Sequence, residues 1–419
     1  MSISNNNQNR IAGSDKKWFG LPFPWVITVM GALLLFVAYS YNYVFAVFYK
    51  PIADDFGWSR AVVSIAYTIC SVAAALLIVP MGYWADRYGP RRVILPCVII
   101  SGISMMAAAK ITNLWELYLF LGVGVGIGRA GPFVCGVSTI AKWHDKKRGL
   151  ALGIASMGTG ISSIVFPLVA TSLMKNHDWR FASFVIGIII LVIGIPVAIV
   201  VRNPPETEEQ KTFSRKMSKN GLLDGWKVLP RLLKNPAFLT IIMMFITMYT
   251  GSQMIVNHLV NYATDIGITA LAAAAMMSLM GIAGTAGRLG MAAISDRIGA
   301  KRDAAVCCIL LIISIFLLMS RIPALMWTAT VPFGIGFGGI VPLQSTVMAE
   351  RVEPQDLSQA TGGASMGSLI GSALGPWLGG IIFDATGSYL LAFSLAAAFL
   401  IAAFVIIMRL STAKIQMPE

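Results

Sequence analysis

The chain has 419 residues, 57% of them hydrophobic and only 12% charged, with a mean hydropathy of +0.75. Soluble domains carry about a quarter charged residues, so this composition excludes an ordinary water-soluble enzyme or binding module and points to a chain dissolved in lipid. The net charge of +13 raises nucleic acid as a partner, and the placement of that charge along the chain removes it.

Residues 1–23 are polar, with no apolar core and no convincing cleavage site. They read as a cytoplasmic tail and not a removable signal, leaving the first span to direct insertion. A helical span needs about 20 mostly apolar residues. Twelve stretches meet that requirement: 24–48, 62–84, 92–110, 114–141, 149–173, 181–201, 237–264, 270–295, 302–321, 324–349, 357–383 and 388–409. The expected fold is therefore all-α, with twelve transmembrane helices. The hydrophilic stretch 202–236 opens on Pro204-Pro205, turns acidic at Glu206, Glu208 and Glu209, and then basic. It reads as a cytoplasmic linker between a six-helix bundle over 24–201 and a second over 237–409, with a short cytoplasmic tail over 410–419.

With the N-terminus inside, cytoplasmic segments hold 24 of the 32 Lys and Arg, and the outer loops hold six: Lys50, Arg60, Lys110, Lys175, Arg180 and Arg321. This positive-inside bias predicts both termini in the cytoplasm and assigns the basic charge to topology. Cys70, Cys97, Cys135, Cys307 and Cys308 all fall in predicted spans without metal-ligand spacing to His. They read as small packing residues, and no metal or other cofactor is expected.

The two halves echo each other. Gly82-Tyr-Trp-Ala-Asp86-Arg87-Tyr-Gly89-Pro-Arg91-Arg92 follows the second span, and Asp296-Arg297-Ile-Gly299-Ala-Lys301-Arg302 follows the eighth. Gly126-Ile-Gly128-Arg129-Ala-Gly131 in the fourth span matches Gly334-Ile-Gly336-Phe337-Gly-Gly339 in the tenth. Both glycine runs fit G-x-G-x-x-G, but a dinucleotide site needs a strand before and a helix after. Inside apolar helices they predict close helix packing. Parallel halves of this kind place binding between them, near the midplane.

A charge within a span is costly and marks function. Of the Lys and Arg, only Arg129 and Arg288 fall well inside spans; no Asp or Glu lies well inside one; His258 is the one intramembrane His. Arginine cannot shed its proton, and its planar fork suits a carboxylate. The missing negative charge is most simply the substrate's. The alternative for each Arg is hydrogen bonding to backbone carbonyls or snorkelling to a helix end. His258 titrates near neutrality when unperturbed and is a candidate for proton coupling or a substrate contact, with a packing histidine as the alternative. Tyr39, Asn42 and Tyr43 in span 1, Gln344 in span 10, and Ser365, Ser368 and Ser372 in span 11 are candidate polar lining; Phe337, the counterpart of Arg129, is a candidate wall. Asp86, Arg87, Asp296 and Arg297 in the repeated loops are candidates for gating, or for tight turns with topology-setting charge. No paired buried carboxylates, metal cluster or nucleophile–base motif suggests an enzyme.

These motifs resemble the major facilitator superfamily. Within it, Trp58-Ser59-Arg60, Lys142-Trp143, Arg148-Gly149-Leu150-Ala151-Leu152-Gly153 and Arg288 resemble the monocarboxylate transporter group and its oxalate/formate antiporter relatives. The resemblance implies alternating access, with Arg288 on the substrate carboxylate. Three departures bear on proton coupling and on a second charge. Gly284 stands where animal members carry an Asp, Tyr43 where they carry a Lys, and Met366 near the place of the exchangers' span-11 Lys. The reading is a bacterial inner-membrane transporter of a lactate- or pyruvate-like monocarboxylate with a proton, working as a monomer. An exchanger of small anions through Arg129 and Arg288 is the alternative, and a non-transporting membrane sensor stands further off.

Overall fold

The computed structural model describes residues 17–18, 20–144, 148–204, 235–351 and 357–410. Most of the expected linker and both terminal tails lie outside these residues. A two-residue ladder, β1 (Lys17–Trp18) with β2 (Leu21–Pro22), precedes the first helix. Otherwise the fold is helical, and among the described residues twelve segments are long and apolar enough to cross a membrane.

The first segment is α1 (Phe23–Ala38) and α2 (Ser40–Phe56), joined at Tyr39. There the Asn42 N–H donates to Tyr39 O at 3.1 Å and Ser40 Oγ donates to Val37 O at 2.7 Å. These shorter-range bonds tighten the helix into a bend. The expected end at 48 falls short of Phe56 because Lys50, Pro51, Asp54 and Asp55 lower the hydropathy without ending the helix. Next come α3 (Arg60–Tyr88) and α4 (Pro90–Ala108). The fourth segment joins α5 (Leu114–Leu117), a π-helical stretch (Tyr118–Gly124) and α6 (Val125–Trp143). The first half closes with α7 (Arg148–Asn176) and α8 (Trp179–Val200). The second contains α9 (Pro236–Asp265), α10 (Ala270–Ile298), α11 (Ala300–Met319), α12 (Pro323–Arg351), α13 (Leu357–Thr386) and α14 (Leu390–Arg409). An even number of crossings returns the chain to its starting side; the opposite side is called the distal end below.

Corresponding helices of the two halves start and stop alike. A side-chain hydroxyl caps each start: Ser59 accepts from Val62 N–H on α3, and Thr269 from Ala272 N–H on α10. Such caps satisfy amides that have no partner inside the helix. Each helix ends on a glycine, Gly89 at φ 87° and Gly299 at φ 84°, a conformation that penalises a side chain. The Asp-Arg-x-Gly echo read from the sequence is thus a repeated helix terminus.

The glycine runs are packing seams. A Cβ on Gly126 would lie 2.8 Å from Cys70 O on α3, one on Gly128 2.8 Å from Cys97 O on α4, and one on Gly336 2.9 Å from Cys307 O on α11. Backbones approach this closely only where side chains are missing. Small residues also bring α7 against α10 across the halves, with Gly160 facing Thr285 and Gly281 facing Ser163. The other broad contact between halves is α3 with α13.

Candidate functional site

Arg129 projects from α6 onto the bend between α1 and α2. Its Nη1 donates to Asn42 Oδ1 at 2.9 Å, and its guanidinium carbon sits 4.8 Å from the Tyr39 ring centroid. Tyr67 and Cys70 of α3 lie beside it. The residue is 9% exposed. Tyrosine and cysteine are neutral near pH 7, so among the described residues this guanidinium has no carboxylate partner.

Arg288 enters from α10. Its Nη1 donates to Ser156 O at 2.8 Å and to Thr159 Oγ1, both on α7 of the first half. The residue is half-buried, and its Nε is buried without an acceptor. The backbone-carbonyl alternative is therefore realised for one nitrogen of the fork and leaves the others available. Among the described residues Arg288, too, has no carboxylate partner.

Tyrosines connect the two arginines. Tyr43 lies in the field of both guanidiniums, and Tyr249 in that of Arg288. Gln344 Nε2 donates to Tyr249 OH at 3.3 Å and to Ser368 Oγ, while its Oε1 accepts from Ser365 Oγ at 3.1 Å. The Phe337 ring closes on this group at 6.3 Å from Tyr249. Arg129, Arg288, Tyr39, Asn42, Tyr43, Phe337 and Ser368 thus converge between the halves. Ser372, a turn beyond Ser368, is buried but has no hydrogen bond to this group among the described residues.

His258 stands apart, in a seal at the distal end. Its Nε2 lies 2.8 Å from Pro376 O and its Nδ1 3.2 Å from Tyr389 OH. A carbonyl only accepts, so Nε2 carries the proton and Nδ1 accepts from the tyrosine hydroxyl. Tyr389 OH in turn accepts from Arg60 Nη1 at 2.6 Å. Arg60 is the hub of the seal. Its guanidinium pairs with Asp265 at 2.8 Å and lies 3.6 Å over the Phe383 ring, and Lys50 joins Asp265 at 2.6 Å. Asp384 accepts from the backbone N–H groups of Arg60 and Ala61, at 2.8 and 2.6 Å. It thereby anchors the start of α3 to the second half. Tyr49 OH donates to Arg60 O.

Polar groups are thus gathered between two six-helix sets, where transporters built from paired repeats hold their sites, and a charged seal lies at one end. The profile of the Major Facilitator Superfamily matches residues 31–320 and 291–416. The chain belongs to this superfamily. Among its relatives, rat monocarboxylate transporter 13 is 26% identical over 321 residues, 76% of this chain and 72% of that one. The oxalate:formate antiporter of Oxalobacter formigenes is 25% identical over 287 residues, 67% of this chain and 66% of that one. A solved bacterial homologue of the human lysosomal transporter Spinster superposes with a TM-score of 0.75 at 18% identity, over 92% of this chain and 96% of that one. It shares the fold.

Within the superfamily frame, the departure at Gly284 has a packing consequence. Gly284 backs onto Gly334 O, which a Cβ would meet at 3.3 Å, so α10 and α12 press together there. Of the repeated loops, Arg87 is exposed and donates weakly to Tyr83 OH at 3.4 Å, and Arg297 is exposed. The side chains of Asp86 and Asp296 lie outside the described residues.

Sequence reasoning missed several groups. Tyr249 is part of a polar stripe with Gln253, Asn257 and Asn261 on α9, all buried. Their four-residue spacing puts them on one face, a signal that was available in the sequence. Thr159, Lys50, Arg60, Asp265 and Asp384 gave no such signal, because their partners lie in the other half. Asp303, which the sequence reading did not single out, is buried in the first turn of α11, with Cys307 Sγ 3.8 Å from its Oδ1.

Proposed function

We propose that this chain moves a small monocarboxylate of the lactate or pyruvate type together with a proton, by alternating access, with Arg288 holding the carboxylate. The observation that carries this reading is the pair of arginines facing one shared tyrosine, Tyr43, without a carboxylate partner among the described residues. Leaving a guanidinium without its counter-charge in a water-poor site is costly, and a substrate anion supplies that charge. The monocarboxylate and oxalate:formate relatives support the substrate class. The positive-inside bias supports cytoplasmic termini, and hence a distal end facing outward, in a bacterial inner membrane.

Arg129, Asn42, Tyr39, Tyr43, Phe337, Ser368 and Ser372 are proposed to shape the binding space, and Asp86, Arg87, Asp296 and Arg297 to gate the cytoplasmic side. A second reading, exchange of small anions including dicarboxylates, is favoured by Tyr43 lying in the field of both Arg129 and Arg288. Labelled lactate uptake by the purified protein in liposomes separates the two. Proton-coupled symport fills empty vesicles when an inward proton gradient is present and stops when an uncoupler collapses it. Exchange fills only vesicles preloaded with oxalate or formate, whatever the gradient.

His258 is the proposed proton-coupling group, acting through the seal. A proton on Nδ1 would replace its acceptor with a donor facing Tyr389 OH and set a second cation beside Arg60. Tyr49, Asp384, Asp265 and Lys50 are the other titratable groups of this seal. Protonation from outside therefore favours opening, and uptake rises as external pH falls. His258→Ala is expected to flatten that dependence more than it lowers maximal exchange. An unchanged pH profile returns His258 to packing.

A further inference from the structure

Arg288 meets α7 with one nitrogen only. Thr159 Oγ1 donates its own hydrogen to Ser156 O at 2.8 Å, which leaves its lone pairs to accept from Arg288 Nη1. Ser156 O accepts a second bond from the same nitrogen. Both contacts fall at one corner of the guanidinium. The opposite edge consists of Nε, buried and without an acceptor, and Nη2, with no hydrogen bond among the described residues. Two parallel N–H donors on one edge of a planar fork form the bidentate geometry for a carboxylate.

We infer that Thr159 and the Ser156 carbonyl set the rotation of the Arg288 guanidinium, so that its Nε–Nη2 edge is the one offered to the substrate carboxylate. This rests on the reading of Arg288 as the carboxylate ligand and adds to it a positioning residue in the other half. Thr159 touches the arginine and not the substrate. The contact exists because α7 and α10 lie close along the Gly160–Thr285 and Gly281–Ser163 seam. The carboxylate edge is therefore oriented by the first half of the chain although the arginine belongs to the second. Separation of α7 from α10 releases the guanidinium to rotate, so binding strength is tied to the approach of the halves.

The test is the KM and Vmax of lactate uptake in liposomes for Thr159→Val, Thr159→Ser and Arg288→Ala, beside the wild-type chain. Valine keeps the shape of threonine and removes the acceptor; serine keeps the acceptor. Losing one hydrogen bond to a charged group corresponds to about tenfold. Thr159→Val is expected to raise KM by about that factor while Vmax is held, and Thr159→Ser to restore the wild-type KM. An unchanged KM in Thr159→Val, or equal losses in the valine and serine variants, overturns the positioning role. If Arg288→Ala is still inactive in that case, the reading of Arg288 stands without it. Wild-type-like uptake by Arg288→Ala, or no lactate uptake by the wild-type chain, overturns the reading itself and the inference with it.

Discussion

Arg288→Ala is expected to abolish carboxylate uptake while leaving a folded, inserted protein. Truncating one partner of a desolvated, hydrogen-bonded charge pair costs about 2–5 kcal/mol. At about 1.4 kcal/mol per tenfold, that is a loss of roughly 30-fold to several thousandfold in transport at low substrate. The protein should survive the change. Arg288 is half-buried, its bonds go to one backbone carbonyl and one hydroxyl of α7, and one of its buried nitrogens already lacks an acceptor. Removing it takes away a half-buried charge and no ion-pair partner among the described residues. Gel filtration and helical circular dichroism should match the wild type, and uptake should fall to that of protein-free liposomes. Arg288→Lys separates charge from geometry: an ammonium is a point charge without the fork, so partial activity is expected. Uptake by Arg288→Ala at the wild-type rate would remove the centre of the proposed function.

Arg60→Ala is expected to open the distal seal. The Arg60 side chain is 11% exposed and its partner Asp265 22%. The variant loses the bonds to Asp265 and Tyr389 and the stacking on Phe383. Hydrogen bonds to charged groups contribute about 1.5–3 kcal/mol each when well shielded. Screening at this partly exposed end lowers the total, so a shift of about 2–3 kcal/mol towards the open distal end is a fair magnitude. Asp384 still caps the start of α3 through its backbone amides, and so the helix itself remains in place. Cys70 offers a native reporter, since it is fully buried and lies beside Arg129 in the proposed binding region. With the other four cysteines replaced, an impermeant thiol reagent added outside intact cells should label Cys70 about 30-fold faster in Arg60→Ala. An unchanged labelling rate would mean that this cluster is not a gate.

What the sequence by itself determined follows from solvation. Twelve apolar stretches can only cross a bilayer, because each unsatisfied backbone group in hydrocarbon costs several kcal/mol. Arg129 and Arg288 stand out for the same reason, since a charge inside such a stretch needs a counter-charge. The glycine runs of α6 and α12 declared close packing once the strand required for nucleotide binding was seen to be missing. All of these are properties of a residue and its neighbours along the chain, and a linear reading reaches them.

The tertiary structure decided which groups meet. Helical spacing gives His258 a face but no partner, and its partners Pro376 and Tyr389 come from 118 and 131 residues away. Arg60 looked like an ordinary outer-loop charge until Asp265 and Asp384 arrived from the second half, 205 and 324 residues on. Arg288 was marked in advance, but not that Ser156 and Thr159 would occupy one corner of its fork. Apolar periodicity specifies which side of a helix is buried. Hydrogen bonds and ion pairs are specified only when the halves close, over separations that no local pattern encodes.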